Sequence, residues 1–263
     1  MTDQTLVRID PADDDGIATV TIDRQEKLNA LNPEVIDELG RAFEALRHDE
    51  TLRGVILTGA GEKAFVAGAD IGVLAKMTPT SGVAVSRQGQ EVMRAIETFP
   101  RPVLAAVGGF ALGGGCELAL ACHLRIASEN AVFGLPEVGL GIVPGYGGTV
   151  RLARLVGLGR AIELTLTGRK FDAATAQSLG LVSEVVPREE LAERARGFMR
   201  AITRNGPVAV SLAMEAIYQA LDSSTEEALR HEAALFGILA STDDMREGMQ
   251  AFLEKRRPTF RGK

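Results

Sequence analysis

Residues 103–122 read VLAAVGGFALGGGCELALAC, and this stretch decides the predicted fold. The apolar run Val103–Val107 predicts a short buried strand, because it is bounded by proline and glycine. Residues 116–122 predict a helix. The connection between them contains a run of three glycines, and glycine lets a backbone turn tightly or approach a neighbour closely. The stretch therefore predicts a strand that leads through a glycine turn into a helix.

Strands and helices alternate on both sides of this stretch. Residues 6–9, 17–22, 54–58, 124–127 and 181–186 are predicted to be strands. Helices are predicted after the N-cap Asn32, over residues 83–98 and after Asp172, whereas residues 59–71 are predicted to be a loop. From Pro187 onward the chain is predicted to be almost wholly helical, with breaks near Gly206, Ser223 and Thr242. This order predicts an α/β core followed by a helical extension.

The composition is that of an ordinary soluble globular protein. The chain has 263 residues, of which 46% are hydrophobic and 24% charged. The net charge is −6 and the pI is about 5.3, and because nucleic-acid-binding surfaces are normally basic, nucleic acid is not an expected partner. The polar, acidic segment from Met1 to Asp15 does not resemble a signal peptide, and no long apolar run predicts a membrane span. A cytoplasmic location is expected.

The two cysteines, Cys116 and Cys122, are too few for a disulfide framework. Their spacing is wrong for the usual zinc pairs. A metal site with the adjacent His123 is conceivable, but two small buried thiols on one helix are the favoured interpretation. His123 follows that helix, where a structural role is commoner than a catalytic one. No metal is expected.

The three glycines Gly113 to Gly115 precede the helix N-terminus. Free N–H groups and a partial positive charge make such a terminus a ready site for an anion or oxyanion. A tight turn needed only for close packing is an equally good interpretation of the glycines alone.

Two glutamates stand in apolar surroundings. Glu117 has only apolar neighbours from Cys116 to Ala121, so it is either a solvent-facing residue or a buried carboxylate with a raised pKa. A raised pKa suits acid–base catalysis near neutral pH. Glu137 lies in a Gly/Pro-rich loop, where a solvated or helix-capping role is as good an interpretation. The possibility that the two acids form a pair makes Glu137 a candidate.

Other common motifs are absent from the sequence. The glycines from Gly139 to Gly145 fail the dinucleotide-binding pattern, because Pro144 stands where the third glycine belongs. The chain contains no phosphate-binding loop of the P-loop type and no nucleophile elbow.

Taken together, the motifs resemble the crotonase (enoyl-CoA hydratase/isomerase) superfamily in order and spacing over nearly the whole chain. The matching motifs are Asp23-Arg24, Leu28-Asn-Ala-Leu31, Ala67-Gly-Ala-Asp70, Arg101 to Leu118, Phe133 to Val138, Gly141 to Thr149, Leu166-Thr-Gly168, Gly180-Leu-Val182 and Phe252 to Arg256. The resemblance implies an α/β fold, a spiral of ββα units with a helical C-terminal trimerisation region. It implies a core over residues 1–200 with the acyl-CoA site and a helical oligomerisation region over residues 201–263. A homotrimer or a homohexamer is then expected.

The resemblance also implies a set of site residues. The thioester oxygen is expected between the backbone amides of Ala67 and Gly114, with Glu117 and Glu137 as the catalytic pair. Coenzyme A is expected to contact residues in three segments of the chain and the glycine turn: Lys27, Leu28, Ala67, Gly68, Ala69, Asp70, Ile71, Gly114 and Lys255. Coenzyme A is part of the substrate, and no separate cofactor is expected.

The implied reaction is hydration of a trans-2-enoyl-CoA to a 3-hydroxyacyl-CoA. Glu117 would be the base toward water and Glu137 the proton donor. The alternatives are an enoyl-CoA isomerase or another crotonase-type reaction on a CoA thioester, and a non-catalytic or RNA-binding member of the superfamily. The retained pair of acids argues against an isomerase, and the acidic pI argues against RNA binding.

Three residues depart from the family pattern. Gly108 stands where asparagine is usual, His123 where aspartate is usual, and Val150 where glutamine is common. The variable segment 72–87 is expected to shape the acyl pocket.

Overall fold

The computed structural model describes residues 5–263. The strands of this part of the chain are β1 (Val7–Asp10), β2 (Ile17–Ile22), β3 (Gly54–Gly59), β4 (Ala64–Val66), β5 (Val103–Val107), β6 (Phe110–Leu112), β7 (Leu124–Ser128), β8 (Val132–Gly134), β9 (Phe171–Asp172) and β10 (Glu184–Val186). Its helices are α1 (Pro33–Arg47), α2 (Ile71–Leu74), α3 (Pro79–Glu97), α4 (Gly114–Ala121), α5 (Gly148–Val156), α6 (Leu158–Thr167), α7 (Ala173–Ser178), α8 (Leu191–Thr203), α9 (Pro207–Leu221), α10 (Thr225–Leu239) and α11 (Asp243–Leu253). Short 3-10 turns lie at Gln25–Lys27, Glu137–Leu140 and Arg188–Glu190.

The strands form two sheets. The first has the order β1-β2-β3-β5-β7-β10, and every pair in it is parallel except β1 with β2. The second has the order β4-β6-β8-β9, with only the last pair antiparallel. Since β3 and β4, β5 and β6, and β7 and β8 follow one another in the chain, each ββα unit adds one strand to each sheet. The predicted α/β fold, a spiral of ββα units, is confirmed.

Helix α4 lies inside the molecule. All eight of its residues are buried, including Glu117. The helix contacts α3, α5, β4 and β6. Because α4 is enclosed by these elements, Glu117 is a buried residue and does not face bulk solvent.

Several local predictions match the structure. Strand β2 has the predicted bounds, and the Asn32 side chain caps α1 by accepting the Val35 N–H at 2.9 Å. The helix breaks predicted near Gly206, Ser223 and Thr242 fall between α8 and α9, α9 and α10, and α10 and α11.

Other local predictions are wrong. The predicted loop 59–71 contains β4, a buried three-residue strand that is too short for a sequence pattern to reveal. The helix expected over residues 83–98 begins four residues earlier, at Pro79, because Thr78 and Ser81 form a reciprocal capping box. The strand expected over residues 181–186 is limited to β10.

The helices differ in how they are covered. Helix α8 packs on β2, β3, β5 and β7 of the first sheet. Helices α9 to α11 bury few residues and expose large apolar side chains. These are Ile217, Leu221, Leu229, Phe236, Ile238, Met249, Phe252 and Leu253.

No helix within residues 5–263 is long and apolar enough to cross a membrane. The prediction that the polar N-terminal segment is not a signal peptide concerns residues 1–15. The first four of these lie outside the described residues.

Candidate functional site

A cavity of about 980 Å³ opens at the start of α4. It is bounded by the glycine turn, the segment that follows β4, the 3-10 turn Glu137–Leu140 and the N-terminal half of α3. Glu117 and Glu137 both line it, together with Ala67 and Gly114. The structure therefore brings both predicted acids and both predicted amide donors to one cavity.

The glycine turn needs its glycines. Gly113 has a φ of +50°, which favours glycine, and a Cβ atom there would lie 2.7 Å from Oε1 of Glu137. A Cβ atom at Gly115 would lie 2.0 Å from the carbonyl oxygen of Val66. The close-packing interpretation of the glycines is confirmed. The turn also places the N-terminus of α4 at the cavity, and the oxyanion interpretation stays a prediction.

The Gly114 amide is the first of α4, so the helix itself offers it no acceptor. No other acceptor for it occurs within residues 5–263. It is a free donor on the cavity wall.

The Glu117 carboxylate is 2% exposed and held by backbone amides. Its Oε1 accepts the N–H groups of Tyr146 at 2.7 Å and Gly148 at 2.8 Å. Burial raises the pKa of Glu117 to about 7, and the nearby Glu137 adds to the rise, while the two amides and Arg151 oppose it. Of the two possibilities for Glu117, the structure selects the buried carboxylate with a raised pKa.

Glu137 begins a 3-10 turn and is 8% exposed. Its Oε2 is buried and has no hydrogen-bond partner within the described part of the chain. Burial raises the pKa of Glu137 above its ordinary value. An unpaired buried carboxyl oxygen beside a cavity is costly unless a ligand or water bonds to it, so this atom is a candidate for contact with substrate.

One predicted amide donor is wrong. The Ala67 N–H donates to the carbonyl of Leu28 at 3.0 Å, so its single hydrogen is already used. The Ala69 amide also lines the cavity and has no acceptor within residues 5–263. Leu31 donates to the Gly68 carbonyl and accepts the Asp70 N–H, both at 2.8 Å. Since N–H directions alternate along extended backbone, the Ala69 N–H points away from Leu31.

The other residues expected to contact coenzyme A are more scattered. Gly68 and Ile71 line the cavity, whereas the Asp70 carboxylate accepts both Nη groups of Arg24 at 3.0 Å and caps α2. The Arg24 guanidinium holds the pKa of Asp70 below its ordinary value.

Three expected contacts lie away from this cavity. Lys27 is exposed in the 3-10 turn before Leu28. Leu28, with a φ of +51°, lines a neighbouring cleft of about 900 Å³ that also contains Lys63. Lys255 is exposed just beyond α11 and does not line the cavity in a single chain.

His123 has a structural role. Its Nδ1 accepts the Val103 N–H at 2.9 Å, and its Nε2 lies 3.1 Å from the carbonyl of Glu97. Burial lowers the pKa of His123 to about 4, so the ring is neutral and Nε2 is the donor. The ring accepts a strand amide, as the aspartate usual at this position could.

The remaining departures and the cysteines also have local explanations. A Cβ atom at Gly108 would lie 3.0 Å from the guanidinium carbon of Arg188, so a larger residue would displace that arginine. Val150 is exposed on α5. Cys116 and Cys122 are buried thiols, as expected, and burial raises the pKa of each to about 12. Within residues 5–263 no group of three potential ligands is arranged to hold a metal ion.

Tyr146 and Gly148, whose amides hold Glu117, are not among the site residues that the sequence predicts. Both lie in the Gly141 to Thr149 motif, so that motif's glycine pair before a helix was the available signal. The contact joins residues about 30 positions apart, and no local pattern predicts it.

Known proteins resemble this chain over nearly its whole length. The family model described as enoyl-CoA hydratase/isomerase matches residues 12–263. A short-chain-enoyl-CoA hydratase of Clostridium acetobutylicum is 47% identical over 241 residues, which is 92% of each chain. A crotonyl-CoA hydratase of Syntrophomonas wolfei is 44% identical and covers 94% of this chain and 95% of its own.

A solved structure agrees with these relatives. The crystal structure of an enoyl-CoA hydratase from Bacillus anthracis superposes with a TM-score of 0.95 at 41% identity, covering 98% of this chain and all of the other. At 41% identity, this structure resembles the chain in sequence as well as in fold. Family model, relatives and structure agree, and this chain belongs to the enoyl-CoA hydratase/isomerase family.

Proposed function

We propose that this protein hydrates a short-chain trans-2-enoyl-CoA to the 3-hydroxyacyl-CoA. The observation that carries the proposal is the presence of two buried carboxyl groups with raised pKa values on one cavity. Hydration needs a base for water and an acid for carbon, and two acids with perturbed pKa values can serve both needs. The names of the relatives support the short-chain enoyl-CoA substrate.

In the proposed reaction, Glu117 is the base. The Tyr146 and Gly148 amides hold its Oε1, which leaves Oε2 for a water molecule. Glu117 removes a proton from this water while the water oxygen bonds to C3 of the substrate. The electron pair of the 2,3 double bond moves toward the thioester and forms an enolate.

Glu137 completes the addition by giving its proton to C2. The unpartnered Oε2 of Glu137 is the oxygen available for this transfer. The thioester carbonyl is regenerated, and exchange of one proton between the two carboxyl groups, through water, restores the starting state. Because the two acids interact, they titrate as a pair.

The enolate oxygen is proposed to accept hydrogen bonds from the Gly114 and Ala69 amides. Both amides lack an acceptor among the described residues, and both line the cavity with the two acids. Preorganised donors of this kind stabilise the charge that develops in the transition state. Ala69 replaces Ala67 in this role because the Ala67 N–H is bonded to Leu28.

Coenzyme A is proposed to be the substrate's carrier group, with no separate cofactor. Its nucleotide would lie along the segment from Gly68 to Ile71 and beside Leu28, near the cavity mouth. Lys255, which is exposed and does not line the cavity of its own chain, would reach this site from a neighbouring copy.

The helical region over residues 201–263 is proposed to join copies of the chain into a trimer or a hexamer. Its helices α9 to α11 expose large apolar side chains, two of which, Phe236 and Phe252, are 77% and 81% exposed. Apolar surface of this kind is typical of a protein–protein interface. A second copy of the chain is the proposed occupant.

The test of the function is incubation of the purified protein with crotonyl-CoA, and in parallel with a 3-enoyl-CoA, in water labelled with heavy oxygen. Loss of the conjugated enoyl-thioester absorbance, with the label in the hydroxyl group of 3-hydroxybutyryl-CoA, is expected. Conversion of a 3-enoyl-CoA to the conjugated isomer without incorporation of label would instead favour the isomerase alternative. Absence of any reaction on either substrate would contradict the proposal.

A further inference from the structure

A largely buried ion pair lies behind the cavity wall. Arg151, on α5, donates from Nε to Glu97 Oε1 at 3.0 Å and from Nη2 to Glu97 Oε2 at 2.9 Å. Glu97 is the last residue of α3, and its own carbonyl faces Nε2 of His123. Neither Arg151 nor Glu97 lines the cavity, so neither is placed to touch substrate.

The same arginine holds the turn that carries the Glu117 amides. Its Nη1 donates to the Tyr146 carbonyl at 2.9 Å. Gly147 follows with a φ of +102°, and a Cβ atom there would lie 2.4 Å from that Nη1. The guanidinium group is therefore packed directly against the turn.

The opposite side of this turn faces Glu117. The amides of Tyr146 and Gly148, on either side of Gly147, both donate to Oε1 of Glu117. A shift of the turn would move both donors together. The Arg151 guanidinium, paired with Glu97, and the Glu117 carboxylate thus both bind the same turn.

We propose that Arg151, held by Glu97, is a positioning residue that sets the orientation and charge state of Glu117 through the Tyr146–Gly148 turn. The inference rests on the proposed function, in which Glu117 is the base. A buried ion pair contributes little net stability compared with apolar residues of the same volume, so stability alone does not account for its burial here.

Within residues 5–263, four groups with titratable or charged side chains lie close to Glu117. Glu137 is an acid across the cavity, and Arg151 is a cation behind the turn. The Tyr146 hydroxyl and the Cys116 thiol stay neutral near pH 7, since burial raises the pKa of each to about 12. Arg151 is therefore the cation whose removal would leave the ionised form of Glu117 less favoured.

The first test compares hydration of crotonyl-CoA by Arg151→Gln, Arg151→Lys, Glu97→Gln and the natural protein across pH. For Arg151→Gln we expect kcat to fall roughly tenfold to a hundredfold, since small displacements of a catalytic group have effects of that size. KM should change little, and the acidic limb of the kcat/KM profile should move to higher pH. Arg151→Lys should recover part of the loss, because an ammonium group keeps the charge but not the planar fork. Glu97→Gln should show a smaller loss in the same direction.

Arg154→Gln is the matched control. Arg154 lies on the same helix, about one turn after Arg151. It forms an ion pair with Asp222 at the surface. We expect its rate and pH profile to match those of the natural protein. Unchanged kcat in Arg151→Gln, or a lower kcat with an unmoved acidic limb in a folded protein, would overturn the proposal.

The second test needs no substrate, so it separates this inference from the proposed function. Thermal unfolding is followed at pH 8 for the natural protein, Glu117→Gln, Arg151→Gln and the double variant. We expect the two changes in Tm to be non-additive, because the residues interact through one turn. Additive changes would overturn the inference even if hydration is observed, whereas absent hydration with non-additive changes would count only against the function.

Discussion

At the scale of single residues, Glu117 is subject to opposing influences. Burial raises its pKa, while the Tyr146 and Gly148 amides stabilise its charged form. The outcome, a pKa of about 7, is suited to a group that must accept a proton near neutral pH. The sequence alone predicts that Glu117 is either solvated or buried, and the burial of α4 decides between the two.

The raised pKa predicts how stability depends on pH. The folded pKa of about 7 lies above the ordinary value of 4.5, so folding favours the protonated form. The stability contributed by this protonation is fully present below pH 4.5 and is lost as pH rises through 7. In Glu117→Gln this loss cannot occur, so the variant should gain stability over the natural protein between pH 5 and pH 8, by up to about 3 kcal/mol.

Chemical unfolding at the two pH values measures this effect. Glu91→Gln is the control, because Glu91 is exposed on α3 and has no ion pair within the described part of the chain. The free energy of unfolding of Glu91→Gln should differ from that of the natural protein by the same amount at both pH values. If Glu117→Gln did the same, the raised pKa would be wrong.

The site residues found from sequence are those that carry their own local signal. Glu117 and Glu137 stand out as acids in apolar surroundings, and Gly114 lies in a glycine run before a helix. The sequence does not distinguish Ala67 from Ala69, because the two alanines flank Gly68. Only the pairing with residues 28–31 shows that the Ala67 amide is bonded and that the Ala69 amide is free among the described residues. Arg151 has no signal, since an arginine on a helix normally faces solvent.

At the scale of elements, the glycine turn and α4 form one structural unit at the cavity. The turn brings the free Gly114 amide to the cavity, and the first turn of α4 brings Glu117. This unit was predictable because strand, glycines and helix are contiguous in sequence. Strand β4 and the start of α3 were not, because one is three residues long and the other depends on a capping box.

The variant Gly114→Pro tests the amide at this turn. Position 114 is the first of the helix, where proline is tolerated, so the main effect of the substitution is to delete the free N–H. We expect kcat to fall roughly 10²- to 10³-fold, as is typical for loss of one oxyanion donor. Steady-state hydration assays of folded protein provide the measurement.

Gly114→Ala is the matched control for this change. It adds a Cβ atom at the same place, about 3.3 Å from Leu31 Cδ1, but keeps the amide. A much smaller loss of kcat is expected. Equal losses in the two variants would show that crowding, not the missing donor, is responsible.

At the scale of the whole molecule, the described chain has a buried apolar core and a C-terminal helical region with exposed apolar side chains. The two sheets and α4 bury their apolar residues, whereas α9 to α11 present many to solvent. The sequence pattern predicts these helices and their breaks. The proposal that other copies of the chain cover their apolar faces rests on the resemblance to the family, because a pattern within one chain does not reveal contacts between chains.

Phe252→Asp tests the proposed oligomer. A buried charge at an apolar contact is costly, so the variant should dissociate or assemble more weakly than the natural protein. Sedimentation velocity at several concentrations measures the mass. Val83→Asp, a change at an exposed apolar residue of α3, should leave the mass unchanged. A monomeric natural protein, or an unaltered mass in Phe252→Asp, would contradict the assignment of this region.

The most direct test of the two-acid account is the turnover number for crotonyl-CoA of Glu117→Gln and of Glu137→Gln, with binding of a CoA thioester measured alongside. Glutamine keeps the shape of each side chain but cannot exchange the proton. We expect each substitution to lower kcat by roughly 10²- to 10⁴-fold, the range typical for loss of an acid or base, while binding changes little. Turnover within tenfold of the natural protein in either variant would remove that glutamate from the reaction and contradict the account.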